Sequence, residues 1–235
     1  MMKSTVCLVV LASLAACGSE QVPDAPDASA AACPTPAAER LLPLAIGNTW
    51  TYLVTSSDGA TSAPKTSTIE AREDVGDRKA GVVAFRARTE KLDGITVSWQ
   101  EDQCTEIARH REQSFDLTNT LLSDQFYVPE KVRLDETAAH TALAASWATA
   151  YVEVEIDPVT TAVTTKDKND RWTVEAVDEA VTVPAGTFAA IKIHRVGDEE
   201  GQADKTYWFA RGIGKIKETG KQTEELVSYD LAAPP

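Results

Sequence analysis

The stretch 151-YVEVEID-157 decides the fold: Val152, Val154 and Ile156 alternate with Glu153, Glu155 and Asp157. A helix would mix the two kinds of residue on every face, whereas a strand sorts them onto opposite faces. The alternation predicts a strand with its valines against a core and its acids in solvent. Working outward, the same period recurs. In 49-TWTYLVT-55, Trp50, Tyr52 and Val54 oppose Thr49, Thr51 and Thr55, and in 82-VVAFRAR-88, Val83, Phe85 and Ala87 oppose Arg86 and Arg88. The runs 171-RWTVEAV-177, 190-AIKIHRV-196, 206-TYWFAR-211 and 225-ELVSYDL-231 follow suit. Between runs stand Asp58-Gly59, Gly76-Asp77, Asp93-Gly94, Gly197-Asp198 and Gly220, residue types that tolerate the positive φ of hairpin turns. The expectation is a mostly β domain of about ten antiparallel strands in hairpin succession, with one or two short helices at most. The better helix candidate is 136-ETAAHTALAASWATA-150, behind Asp135 as an N-cap, with Leu143, Trp147 and Ala150 on one face; the poorer is 114-SFDLTNTLLSD-124.

The N-terminus reads differently. Lys3 precedes an apolar run, Val6 to Ala16, too short to cross ~30 Å of hydrocarbon, so residues 1–16 read as a signal peptide. The run ends 14-LAAC-17, which resembles the lipobox of bacterial lipoproteins. That resemblance implies that Cys17 is lipidated with diacylglyceryl and palmitate-type chains and becomes the first mature residue, anchoring the protein in a membrane of the cell envelope. Two or more acyl chains hold a protein durably where one does not. Gly18 is not the aspartate that retains enterobacterial lipoproteins at the inner membrane, so the resemblance implies the outer membrane of a Gram-negative cell, facing the periplasm. Residues 17–38, rich in Pro, Ala, Ser and Asp, read as a disordered tether, residues 39–231 as one β-rich domain and residues 232–235 as a tail.

The net charge of −13, one unit more negative once Lys3 leaves, argues against nucleic acid and anionic head groups as partners. Its acids are dispersed apart from short clusters such as Asp198-Glu199-Glu200. With Cys7 removed and Cys17 acylated, Cys33 and Cys104 remain in an oxidising compartment. A disulfide between them is one reading, contributing up to ~4 kcal/mol by loop entropy; an unpaired Cys33 and a buried Cys104 is the other.

Two motifs look deliberate. In 181-VTVPAGTFAAIKIHR-195, Pro184 presets a turn that Gly186 closes ahead of Phe188, and in 207-YWFARGIGKIKE-218, Gly212 and Gly214 supply a sharp bend. With 43-PLAIGNTWTY-52 they resemble an uncharacterised family of bacterial envelope proteins and lipoproteins. The resemblance implies a single strongly curved antiparallel sheet forming a half-open barrel, similar in outline to the lipoprotein-localisation carriers. It transfers no activity, and the motif residues read as fold-makers.

No catalytic residue emerges. His110, His140 and His194 are scattered, no H-E-x-x-H or G-x-S-x-G is present, and 167-DKND-170 lacks the rest of a calcium loop and reads as a hairpin tip. No metal or cofactor is expected. The functional expectation is a non-enzymatic envelope protein that binds a hydrophobic ligand or another envelope component. Trp50, Tyr52, Phe85, Trp99 and Trp208 are its candidate ligand face, with Trp147 and Trp172 adding to the aromatic supply; core packing accounts for the same residues. The alternatives are an interaction module whose barrel is plugged by residues 136–150, and a hydrolase, which would need convergent polar groups of perturbed pKa inside a cavity.

Overall fold

The structure, a computed structural model, describes residues 33–197 and 204–232. Its strands are β1 (Thr49–Ser56), β2 (Ser62–Asp74), β3 (Val83–Lys91), β4 (Gly94–Asp102), β5 (Glu106–Phe115), β6 (Leu121–Asp135), β7 (Ser146–Ile156), β8 (Val163–Val183), β9 (Gly186–Gly197), β10 (Lys205–Ala210), β11 (Gly214–Thr219) and β12 (Gln222–Asp230). Each pairs antiparallel with its sequence neighbours, and β1 pairs with both β2 and β12, from Thr49↔Asp230 to Ser56↔Gln222. The sheet is therefore a closed barrel of twelve strands, not a half-open one of about ten. Closure removes both free edges, which would otherwise expose unpaired backbone groups. Residues 100–165 belong to the same sheet; β6 escaped the periodicity because its pairing with β5 jumps from Arg109↔Lys131 to Arg111↔Phe126 around Pro129.

Neither expected helix forms. Residues 136–145 make a chain of turns and Ser146–Ile156 is strand β7, while residues 114–124 are the β5–β6 hairpin. The segment 167–170 lies inside β8 rather than at a hairpin tip; that turn falls at 157–162.

Hairpin succession puts alternate loops at opposite ends of the barrel. One end carries the turns at 57–61, 92–93, 116–120, 157–162 and 220–221. The other, the base, carries 75–82, 103–105, 136–145, 184–185 and 211–213. The base is sealed by the chain's own N-terminal segment. Cys33 and Cys104 form a disulfide with 5.0 Å between Cα atoms. Buried Arg40 donates to both oxygens of Asp102 at 2.9 Å and to Glu136 at 3.1 and 3.2 Å, and the Leu41 amide donates to Glu136 at 2.8 Å. Burial works against the Arg40 charge, but the two carboxylates outweigh it and hold its pKa above the ordinary value. Thus fixed, Leu41 (0% exposed) enters a core of Ile107, Leu134, Trp172, Val174, Ile191, Ile193 and Phe209. Leu42 and Leu44 bridge it to a second core around Trp50, Ile69, Ile216 and Leu226.

The 43–52 stretch and the 207–218 motif meet here. The Trp50 indole donates to the Ile213 carbonyl at 2.6 Å, and the Gly212 amide donates to the Arg40 carbonyl at 2.7 Å. Gly212, at φ +71°, has the Ala38 carbonyl oxygen 2.8 Å from where a Cβ would sit, so the segment lies too close for any side chain. Pro184 and Gly186 turn β8 into β9, and Phe188 meets the Tyr229 ring edge-on. The signal peptide, Cys7, Cys17, residues 17–32 of the expected tether, the 198–200 acids and residues 233–235 lie outside the described residues.

Candidate ligand cavity

Twelve strands make a barrel wider than side chains fill, and above the base a cavity of about 620 Å³ remains, within the range of small-molecule sites. Its lining runs from Leu42, Leu44 and Trp50 on the floor to Ser56, Thr61 and Asp93 beside the opposite loops, so that end is its mouth. Leu92, Leu117 and Val159 stand exposed in three successive hairpin loops at the mouth end.

Alternation assigns the faces. Trp50, Tyr52, Val54 and Ser56 of β1 line the cavity, while Thr49, Thr51 and Thr55 pair outside with Thr68, Thr66 and Ser62. In 151–157 the assignment is the reverse of the expectation. Glu153 pairs in register with buried Tyr127 and sits at 13% exposure beside Lys168 at 11%, whereas Val152 pairs with Val128, which is 49% exposed. The strand turns its acids into the barrel and its valines out.

The interior above the base is consequently charged. On one wall Glu224, its side chain 2% exposed, accepts from Lys65 at 2.6 Å and Lys215 at 2.7 Å. Glu218 accepts from Lys205 at 2.5 Å and from Lys215. Both lysines of the Glu224 pair, Lys65 and Lys215, lie over the Tyr52 ring. Burial alone would raise the two carboxyls, but Lys215 with Lys205 holds Glu218, and Lys215 with Lys65 holds Glu224, well below the carboxylate range. Burial and the neighbouring Lys215 pull Lys65 down to about 8. Lys215 is raised because Glu218 and Glu224 outweigh its burial. On the facing wall Arg109 pairs with Glu112, and Arg133 stands nearby. Behind them Lys131 lies 5.0 Å over the Tyr151 ring and 5.4 Å over that of Tyr127, while Arg195 reaches Asp170 at 3.3 Å.

Convergent polar groups are present, but both glutamates of the lysine wall are ionised and held by ammonium groups. General acid chemistry requires one carboxyl raised toward neutrality, and this pair is pushed the other way.

Of the aromatic face, Trp50 and Tyr52 point inside, and Phe85 packs against their cluster. Trp99 joins neither the cavity nor that cluster, and Trp208 packs against the cluster without lining the cavity. Ser98 and Gln100 line the cavity, so Trp99 is outside, under the Arg111 guanidinium and donating to Glu73; Tyr207 and Phe209 likewise put Trp208 outside, donating to Glu179. Trp147 and Trp172 stack at 6.1 Å, and His140 stacks on Trp147 at 4.4 Å while its Nδ1 lies 2.5 Å from Asp135. His110 is buried with Nε2 2.9 Å from Glu101, and His194 sits between Glu175 and Asp204. The three histidines do not converge.

The charged walls escaped the sequence reading altogether. Their one signal is parity: Lys131 and Arg133 share a face, as do Lys205, Tyr207 and Phe209, charge and apolar bulk together.

No protein-family profile matches the sequence, and no curated protein matches it. Among solved structures the chain is similar to a Bacteroides fragilis protein described as exported and of YmcC-like fold, with a TM-score of 0.50 and 10% identity over 81% of this chain and 98% of that one. A Parabacteroides distasonis protein described as a lipoprotein aligns with a TM-score of 0.40 and 12% identity over the same shares. At these identities the likeness to the first is one of fold.

Proposed function

We propose that this chain is a non-enzymatic protein of the cell envelope, anchored through lipid on Cys17 to the outer membrane and facing the periplasm, whose barrel takes up a ligand with an apolar part. The observation that carries the reading is the cavity: a closed barrel, sealed at its base by Leu41, Leu42 and Leu44, keeps about 620 Å³ open above an apolar floor. A protein built only for rigidity gains by filling such a space, since unfilled volume costs dispersion energy. The exported neighbour of the same fold agrees with the envelope placement.

Native mass spectrometry tests it, using the mature chain with Cys17→Ser exported behind an ordinary secretory signal peptide. A lipid-sized adduct released on denaturation is expected, and a bare polypeptide mass would sink the reading. A second reading, docking of another envelope component at the mouth, is favoured by exposed Leu92, Leu117 and Val159. It becomes the better one if the polypeptide is bare.

A further inference from the structure

We propose that Arg133, with Arg109 beside it and Lys131 behind, forms an oxyanion-binding site in the cavity wall, and that the ligand is an amphiphile with a carboxylate or phosphate head. The inference rests on the cavity being a ligand site and deepens that reading by assigning the chemistry of the head.

The ion pairs leave a surplus. Arg109 and Lys131 are cross-strand partners on β5 and β6, and Arg133 lies two residues further along the same face. Glu112 pairs directly with Arg109 and Asp170 with Arg195, and the same two carboxylates are the counter-charges that Arg133 and Lys131 feel at longer range. Arg133 makes no hydrogen bond or ion pair among the described residues, and Lys131 rests only on the Tyr127 and Tyr151 rings. The buried Nε atoms of Arg109 and Arg195 also lack an acceptor among the described residues. Arg109 and burial push Arg133 below its ordinary value against the pull of Glu112, and burial, Arg133 and Arg109 do the same to Lys131 against that of Asp170, as expected where four cations, Arg109, Lys131, Arg133 and Arg195, share two carboxylates.

Holding such charges inside a barrel costs free energy that the fold does not recover by itself. The surplus is the more telling because the chain as a whole carries −13. A guanidinium fork matches an oxyanion in shape as well as sign. Arg109 and Arg133 share the lining with Leu42, Leu44 and Phe209, so a head held by the arginines leaves its tail on the floor.

The test titrates the same secreted chain with decanoate, 1-decanol and inorganic phosphate by calorimetry, in wild type, Arg133→Gln and Arg133→Lys, with circular dichroism reporting the fold. Decanoate should bind more tightly than decanol, Arg133→Gln should weaken decanoate about tenfold while leaving decanol unchanged, and Arg133→Lys should recover part of the loss. Equal binding of decanoate and decanol, indifferent to Arg133, overturns the anion site and leaves the cavity reading standing. No binding by any of the three overturns both. Arg133-dependent phosphate binding, with decanoate no tighter, supports the site but overturns the amphiphile, assigning a free oxyanion instead.

Discussion

The base and the upper part of the barrel are built from the same strands by opposite rules. At the base, inward Ile107, Leu134, Ile193, Ile216 and Leu226 are, with Leu41 of the N-terminal plug, all at 2% exposure or less, and the barrel is solid. A few residues along the same strands, inward positions become Lys65, Arg109, Lys131, Arg133, Lys205, Glu218 and Glu224, and the barrel is hollow. The base does the work of a core. The upper part surrenders apolar burial and carries the desolvation of its charges, a choice that stability alone does not favour. What separates the two halves is therefore side-chain chemistry rather than topology.

The contrast breaks first at Leu41. Leu41→Ala removes a fully buried side chain from the plug and should lower unfolding stability by about 3–4 kcal/mol, measured by urea denaturation. A loss under about 1 kcal/mol would mean that the base tolerates cavities as the upper half does, and the distinction would fall. Next in size is Glu224→Gln, which leaves Lys65 without its carboxylate while Lys215 keeps Glu218. About 2 kcal/mol should be lost, and Glu224→Gln combined with Lys65→Met should recover part of it, since a charge left unpaired is what costs most. Additive losses in that double-mutant cycle would deny the lysine wall any coupling.

How much of this was legible in the sequence follows from the same contrast. Alternation over 49–55 and 151–157 located β1 and β7, because the pleat leaves its period in any strand with two unlike faces. Alternation does not say which face is inward. In β1 the apolar face is inside, as a packed core requires; in β7 the charged face is inside, Glu153 in register with buried Tyr127 and paired with Lys168. Closure was equally silent. It depends on β1 meeting β12 across nearly the whole chain, and no local signal encodes that pairing. The alanines of 136–150 had helix propensity, but Trp147 pairs with Trp172 across β7 and β8 and the sheet overrode it. The glycine motif marked a bend, but nothing in it said that Gly212 and Gly214 receive the N-terminal plug and Trp50.

The smallest effect is the sharpest probe of the upper half. Burial, helped by Arg133, Arg109 and Arg195, pulls the Lys131 ammonium down to about 7, while an unfolded lysine keeps its proton to about pH 10.4. Between those values the unfolded chain binds more protons than the folded one, so folding stability rises with pH across that interval and the penalty is fully present below pH 7. Lys131→Met removes the penalty. The variant should be more stable than wild type at pH 6, by something of the order of 1 kcal/mol because water reaches the group, and the advantage should vanish by pH 10. Lys65, at about 8, acts in the same direction, but it is present in both proteins and cancels in the difference. If the same comparison is made with decanoate bound, the pH 6 advantage should shrink or reverse, because a carboxylate among Arg109, Lys131 and Arg133 turns the lysine's charge from a cost into a partner. An advantage unchanged by decanoate would mean that the surplus charge of the upper barrel faces water and nothing else.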